Sequence, residues 1–210
     1  MASVKPARTA PVAPTFDELF AGAPVMAILR GMPVATTVEL AVRAWDLGID
    51  CVEVPVQDEA AGQVLAAVVA AGAERGKPVG AGTVTSAGRL ERAVAAGAAF
   101  TVAPGLDADV ARASVAAGLP HLPGVATPSD VQAARALGLT WLKAFPASVL
   151  GADWFQAMRG PFPEVPFVAT GGIDAGNAAA YLSAGARVVA VGSALEDDDQ
   201  LPRLAALLAR

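Results

Sequence analysis

Cysteine and histidine are almost absent from this chain, which contains only Cys51 and His121. A single cysteine cannot form a disulfide within the chain, and such cysteine usage is typical of proteins in a reducing cytoplasm. No cluster of histidine, cysteine and carboxylate residues has the spacing of a metal site. The sequence therefore predicts neither a metal nor a cofactor.

Basic stretches and long apolar runs are also missing. The formal net charge is -5 at pH 7, and without a basic cluster this argues against nucleic acid as a partner. No segment reaches the roughly 18 uninterrupted apolar residues that a membrane helix needs. Residues 1–14 are rich in proline and alanine and lack the apolar core of a signal peptide. We therefore expect a flexible leader there, and a cytoplasmic protein that does not enter a membrane.

Alanine, valine and glycine are abundant, and they form short apolar runs that alternate with helical patterns. The runs predict eight strands, at residues 25–30, 51–56, 78–83, 99–103, 121–123, 140–144, 165–169 and 187–191. A helical pattern follows each strand, and the last three are expected at about 151–159, 175–184 and 201–208. Repeated βα units imply parallel strands with right-handed crossovers.

Eight βα units favour a closed (β/α)8 barrel, the TIM barrel, as a single α/β domain over residues 15–210. A short helix at 16–21, with Thr15 as its N-cap, should precede the first strand. An open doubly wound sheet is the alternative architecture. The absence of a Gly-x-Gly-x-x-Gly turn after the first strand argues against the dinucleotide-binding version of that sheet.

Lys143 is the most unusual residue, because it lies in the apolar strand at 140–144. Burial disfavours the charged form of a lysine and lowers its pKa, which makes the amine a usable nucleophile. The other two lysines, Lys5 and Lys77, lie in the leader and in a Gly-Lys-Pro turn. An ion-paired or partly exposed lysine is the structural alternative for Lys143.

Further polar and glycine residues follow the ends of other predicted strands, where the active site of a barrel is found. Glu53 lies between two valines, and near a neutral lysine it could act as a general acid and base. An ion pair with an arginine is its structural alternative. The turns Gly171-Gly172 and Gly192-Ser193 follow the last two strands, where backbone N–H groups commonly bind phosphate.

The remaining reactive side chains are predicted to be structural. His121 is placed at the start of a strand, the opposite end from the site, and Cys51 is expected to fill space in the core.

Several short motifs occur in an order that resembles the 2-keto-3-deoxy-6-phosphogluconate aldolase family, which includes 4-hydroxy-2-oxoglutarate aldolases and a phosphogalactonate branch. The resemblance covers residues 24–195. Its motifs are Ala-Ile-Leu-Arg-Gly at 27–31, Val-Glu-Val at 52–54, Gly-Ala-Gly-Thr-Val at 80–84, Ala-Pro-Gly at 103–105, Leu-Pro-Gly at 122–124, Lys-Ala-Phe-Pro-Ala at 143–147 and Thr-Gly-Gly-Ile at 170–173.

The resemblance implies a metal-independent class I aldolase, a lyase, that acts on a phosphorylated keto-deoxy sugar acid and forms a homotrimer. It implies that Lys143 forms the Schiff base and that Glu53 transfers protons. The other implied contacts are Arg30, Thr83, Pro104, Phe145 and Thr170 for the substrate, and Gly171, Gly172, Gly192 and Ser193 for its phosphate. The products would be pyruvate and glyceraldehyde 3-phosphate.

Several positions bear on which epimer is cleaved. Pro55 and Gln57 replace a threonine and an arginine of the gluconate-type sequences, and Pro55 and the motif around Arg30 are more similar to the phosphogalactonate branch. Thr170, in contrast, is similar to the phosphogluconate branch. A threonine hydroxyl can distinguish epimers of an alcohol by hydrogen bonding, so we expect phosphogluconate, with the galactonate epimer as the alternative.

Two other classes of function use the same loops. A phosphosugar isomerase or synthase would use Glu53 as base and Lys143 as a positive charge without a Schiff base. A non-catalytic barrel would bind a phosphorylated ligand and form no product.

Overall fold

The protein is described from a computed structural model, which describes residues 14–21 and 24–207. The predicted leader lies outside the described residues except for Pro14. The strands are β1 (Val25–Ile28), β2 (Cys51–Pro55), β3 (Val79–Gly82), β4 (Phe100–Val102), β5 (His121–Leu122), β6 (Gly124–Val125), β7 (Leu142–Ala144), β8 (Phe167–Thr170) and β9 (Val188–Val191).

Helices alternate with these strands along the chain. They are α1 (Phe16–Leu19), α2 (Val34–Asp46), α3 (Glu59–Arg75), α4 (Ala87–Ala95), α5 (Ala108–Ala116), α6 (Pro128–Ala136), α7 (Ala147–Leu150), α8 (Ala152–Arg159), α9 (Ala178–Ala184) and α10 (Gln200–Ala205), with a short 3₁₀ helix (Ser193–Glu196) after β9. In the part of the chain that is described, no helix is both long and apolar enough to cross a membrane.

The strands form one parallel sheet in the order β5-β4-β3-β2-β1-β9-β8-β7-β6. β5 pairs with β4 and β6 pairs with β7, while only Pro123 separates β5 from β6. The two edges are therefore halves of one strand, and the sheet is a barrel with eight strand positions. The predicted TIM barrel is confirmed.

The pleat separates two apolar layers, because neighbouring side chains of a strand point to opposite faces. In β2, Val52 and Val54 belong to the large cluster between the barrel and the helices, whereas Cys51 belongs to the smaller cluster inside the barrel. Glu53 therefore also points into the barrel. The same alternation places Lys143 inside, between the outward-facing Leu142 and Ala144.

Helix α1 closes the amino-terminal end of the barrel. Thr15 and Glu18 form a reciprocal capping box, as the N-cap prediction required. The ring of Phe20 lies 4.8 Å from that of Trp141, and the Trp141 indole N–H donates to Asp17 at 2.9 Å. Because this end is filled by side chains, the opposite end is left for ligands.

Some predicted boundaries were wrong. The fifth strand, expected at 121–123, is two short segments, because Pro123 has no N–H to continue the ladder. The helix expected at about 151–159 is found at Ala152–Arg159, but the short helix Ala147–Leu150 before it was not predicted, and Gly151, with a φ of 79°, separates the two.

The start of the following helix was also misplaced. It begins at Ala178 instead of 175, because the Asp174 carboxylate accepts hydrogen bonds from the N–H groups of Gly176 and Asn177 and holds a turn there. The last helix ends at Ala205.

Candidate active site

A cavity of about 180 Å³ opens at the carboxyl ends of the strands. Eight of the residues proposed from the sequence line it, together with the apolar Ile28, Met32, Ile173, Ala190 and Leu195. The eight are Arg30, Lys143, Phe145, Thr170, Gly171, Gly172, Gly192 and Ser193. The structure thus brings together side chains from four strand ends, as the barrel prediction required.

Lys143 lies at the floor of this cavity. It sits in the middle of β7, paired with Gly124 on one side and Val168 on the other, and is only 4% exposed. Burial lowers the pKa of Lys143, and the positive charge of Arg30 lowers it further, while Glu53 opposes both effects. The free amine is therefore accessible at a lower pH than in an ordinary lysine.

The ring of Phe145 packs beside this amine, with its centroid 5.0 Å from Nζ of Lys143. Gly171 also lies against that ring, and an added Cβ would come within 3.1 Å of Phe145. The glycine at 171 therefore lets the turn after β8 approach Phe145 without crowding its ring.

Glu53 lies deeper in the barrel and does not line the cavity. It is 1% exposed, and its Oε2 atom has no hydrogen-bond partner. Burial raises the pKa of Glu53, while Lys143 and Arg30 lower it. A carboxyl group with a raised pKa beside a lysine with a lowered pKa suits acid and base catalysis.

Room for the Glu53 carboxylate is provided by the neighbouring strand. Pro55 pairs with Gly82 across the ladder, and a Cβ added at Gly82 would overlap Oε1 of Glu53. This contact could not be predicted from the sequence, because a glycine in a strand more often marks a bend or a bulge.

Thr170 ends β8 with its side chain inside the barrel. Its hydroxyl is buried and has no hydrogen-bond partner, although the residue lines the cavity. Buried hydroxyl groups are normally paired, so this one is available to a bound ligand.

The two glycine turns lie on one side of the cavity. Gly171 and Gly172 have φ values of 95° and 72°, which glycine adopts readily and other residues avoid. Gly192 and Ser193 form the adjacent rim, and the exposed guanidinium of Arg30 belongs to the same cavity. Backbone N–H groups of such turns, beside an arginine, suit a phosphate group.

Thr83 and Pro104 are not among the residues that line the cavity. The Pro104 carbonyl packs against Gly124, leaving no space for a Cβ there. Thr83 has a φ of 59° and is the one non-glycine residue of the described chain with a positive φ. Their contact with the pyruvate end of a substrate stays a prediction.

His121 and Cys51 lie where the sequence placed them. His121 begins β5, and its Nδ1 is 2.8 Å from the Thr101 hydroxyl, which in turn contacts Ser114. Burial lowers the pKa of His121 to about 4. Cys51 is a free, buried thiol in the barrel interior, and burial raises its pKa strongly. No group of three or more metal-ligating side chains occurs in the described ranges.

Comparison with known proteins identifies a family. The family described as "Aldolase: KDPG and KHG aldolase" matches residues 16–206. A 2-dehydro-3-deoxy-phosphogluconate aldolase of Pseudoalteromonas atlantica is 36% identical over 87% of this chain and 85% of its own length. A probable 2-dehydro-3-deoxy-6-phosphogalactonate aldolase of Rhizobium meliloti is 33% identical over 82% of this chain and 81% of its own.

Among solved structures, the KDPG aldolase of Legionella pneumophila, with pyruvate captured as a covalent carbinolamine, superposes with a TM-score of 0.81. It is 28% identical, and the match covers 93% of this chain and 97% of that one.

Proposed function

This chain belongs to the KDPG and KHG aldolase family, and from that membership we propose that it cleaves 2-keto-3-deoxy-6-phosphogluconate to pyruvate and glyceraldehyde 3-phosphate. It is a class I aldolase, a lyase that works through a Schiff base. The observation that carries the proposal is the buried Lys143, whose lowered pKa and cavity position suit an amine nucleophile.

The reaction begins at the ketone carbon, C2. The neutral amine of Lys143 adds to the carbonyl and forms a carbinolamine, which loses water to give a protonated imine. Removal of the C4 hydroxyl proton by a base breaks the C3–C4 bond. The electron pair of that bond forms a C2=C3 double bond while the C2=N π pair moves to the imine nitrogen, so that glyceraldehyde 3-phosphate leaves and an enamine of pyruvate remains on Lys143. Protonation at C3 and hydrolysis release pyruvate and restore the amine.

Glu53 is the proton-transfer group of this scheme. Its raised pKa allows the same carboxyl group to accept a proton and to return it. Its unpartnered Oε2 atom leaves a hydrogen-bonding position free for the substrate or for a relaying water.

The phosphate end of the substrate binds at the rim of the cavity, where the two glycine turns lie. Gly171, Gly172, Gly192 and Ser193 hold the phosphate through backbone and hydroxyl groups, and Arg30 adds positive charge. Phe145 packs beside the imine, and Thr83 and Pro104 contact the pyruvate portion.

Thr170 selects the epimer. Its buried, unpaired hydroxyl lines the cavity and donates to, or accepts from, the C4 hydroxyl of the gluconate-type substrate. The relative from Rhizobium meliloti keeps the 6-phosphogalactonate epimer as the second candidate. Measuring kcat/KM for both epimers, in the protein and in Thr170→Val, decides between them. The variant should lose its preference for gluconate and retain the Schiff base.

Borohydride trapping tests the main proposal. Incubation with pyruvate and borohydride should add a reduced pyruvate adduct to Lys143, detected by peptide mass spectrometry, and Lys143→Ala should take up none. Lys77→Ala is the control, because Lys77 forms a surface ion pair with Asp50. An unmodified Lys143, with turnover that survives the reagent, would instead favour an isomerase or synthase without a Schiff base.

We also propose that the protein is a cytoplasmic homotrimer: the free, buried cysteine is consistent with a reducing compartment, and the trimer is what the family resemblance implies. The mass of the assembly in solution tests its stoichiometry.

A further inference from the structure

Thr83 has an unusual backbone conformation beside the proposed active site. Its φ of 59° lies in the left-handed region, which a β-branched residue avoids because its side chain crowds the backbone. It directly follows Gly82, the last residue of β3, whose missing Cβ makes room for Oε1 of Glu53. Such strain persists only where surrounding contacts impose it.

Arg89 makes the contacts that hold this conformation. Its Nη1 donates to the carbonyl oxygen of Thr83 at 3.3 Å and to the hydroxyl of Thr85, and its Nη2 donates to the carbonyl of Gln57 at 3.2 Å. One half-buried guanidinium thus joins the loop after β2 to the loop after β3. Its planar, five-donor fork is suited to binding two carbonyl groups that face it together.

The base of the Arg89 side chain is itself fixed. Arg89 is the third residue of α4, and its N–H donates to the Ser86 hydroxyl that caps this helix. The outer helix layer therefore joins the loop after β2, the strand that carries Glu53, to the loop after β3, the strand whose Gly82 makes room for the Glu53 carboxylate.

We propose that Arg89 is a positioning residue for proton transfer. By holding Thr83 in the left-handed conformation, it keeps the Gly82–Thr83 backbone against the Glu53 carboxylate and fixes where that carboxylate reaches the substrate. Arg89 does not itself touch the substrate. This role rests on the proposed function, since it acts through the acid and base assigned there.

Exchange of pyruvate C3 protons for deuterium isolates the proton-transfer step, because it requires the enamine and a proton-transfer group but no phosphorylated substrate. The experiment compares Arg89→Ala with Arg92→Ala, which is one turn further along α4 and whose side chain makes no hydrogen bond to any other described residue. Exchange rate, kcat and KM for cleavage, the borohydride adduct at saturating pyruvate, and Tm are measured for each.

Arg89→Ala should lower both kcat and C3 exchange by roughly tenfold to a hundredfold, the scale expected for a displaced catalytic group. The borohydride adduct on Lys143 should still form completely, and Arg92→Ala should behave as the unmodified protein. Ethylguanidinium, added below denaturing concentrations, should restore part of the exchange in Arg89→Ala.

A purely structural role for Arg89 would give another result. If Arg89→Ala lowers Tm but leaves kcat and exchange of the folded protein unchanged, the positioning role is overturned. Should Arg89→Ala not fold, Arg89→Lys takes its place, because an ammonium keeps the positive charge but not the planar arrangement of donors that binds both carbonyl groups. Unchanged exchange in that variant would equally overturn the proposal. Failure of the proposed aldolase function can be told apart from failure of the positioning role, because without that function the unmodified protein would form no adduct at Lys143.

Discussion

The charges of Glu53 and Arg30 both act on the pKa of Lys143, and they shift it in opposite directions. The negative charge of Glu53 raises the pKa of Lys143, whereas the positive charge of Arg30 lowers it. Since only the neutral amine attacks a ketone, imine formation should increase with pH through the pKa of Lys143.

Replacing each charge should therefore move this pH dependence in a different direction. Glu53→Gln removes the charge that favours the ammonium form, so half-maximal borohydride trapping of pyruvate should shift to lower pH. Arg30→Gln removes a charge that disfavours the ammonium form, so the midpoint should shift to higher pH. Trapping rates measured across the pH range, each at saturating pyruvate, check both shifts. Two shifts in the same direction would contradict this coupling.

The position of Glu53 depends on a glycine of the adjacent strand. Because an added Cβ at Gly82 would overlap Oε1 of Glu53, Gly82→Ala should displace the carboxylate and lower kcat by roughly a hundredfold. In a Glu53→Ala background the same change should alter the remaining kcat by no more than about twofold, since interacting sites are not additive.

Gly80→Ala is the matched control for this comparison of Gly82→Ala with and without Glu53. It adds the same methyl group on the same strand, but the new atom would meet the ring of Phe100 rather than Glu53. It should lower stability by an amount that does not depend on Glu53. Equal losses of kcat for Gly82→Ala with and without Glu53 would show that the glycine serves only packing.

Among the elements, helix α1 contributes packing at the end of the barrel away from the chemistry. The ring of Phe20 is 8% exposed and stacks between those of Phe16 and Trp141. Phe20→Ala should cost about 3–5 kcal/mol of unfolding free energy, the usual range for a buried phenylalanine. Because the cavity is at the opposite end, kcat should not change.

Urea unfolding, with kcat measured in the absence of denaturant, separates the two effects. Val115→Ala is a suitable control, because Val115 is 54% exposed and surface changes of this kind are usually within about 0.5 kcal/mol. A loss of kcat in folded Phe20→Ala would mean that the amino-terminal end is coupled to the site.

The strands and the unusual position of Lys143 could be predicted because both follow from local pattern. Apolar runs marked the strands, and a lysine inside one of them indicated burial. The direction of Glu53 could not be predicted, because an outward carboxylate paired with an arginine fits the same alternation. The interruption at Pro123 could have been inferred from the missing N–H, but only once 124–125 was recognised as the other half of the same strand.

The contacts that position the site could not be predicted in this way. Arg89 contacts Gln57, which is 32 residues away in the sequence, and Gly82 contacts Glu53 from the adjacent strand. No periodicity relates such residues, because loop conformation and strand register bring them together. Thr83 is a further example, since nothing in a Gly-Thr-Val sequence requires a left-handed threonine.

At the scale of the whole molecule, the residues proposed for the chemistry and for the phosphate lie around one cavity of one barrel. We therefore expect the proposed homotrimer to stabilise the barrel by mass action and not to add groups to the site. Sedimentation at high concentration should give three times the 21.0 kDa mass of the chain. On dilution to the point of dissociation, kcat per chain should stay constant while Tm falls.

Parallel measurements of activity and mass across the same dilution series distinguish a site within one chain from a site shared between chains. Activity that falls in step with the trimer fraction, in samples whose circular dichroism is unchanged, would mean that a neighbouring chain contributes to the site. Constant activity with falling Tm would assign the trimer to stability alone, because catalysis needs the cavity and its two coupled charges, and both lie within one barrel.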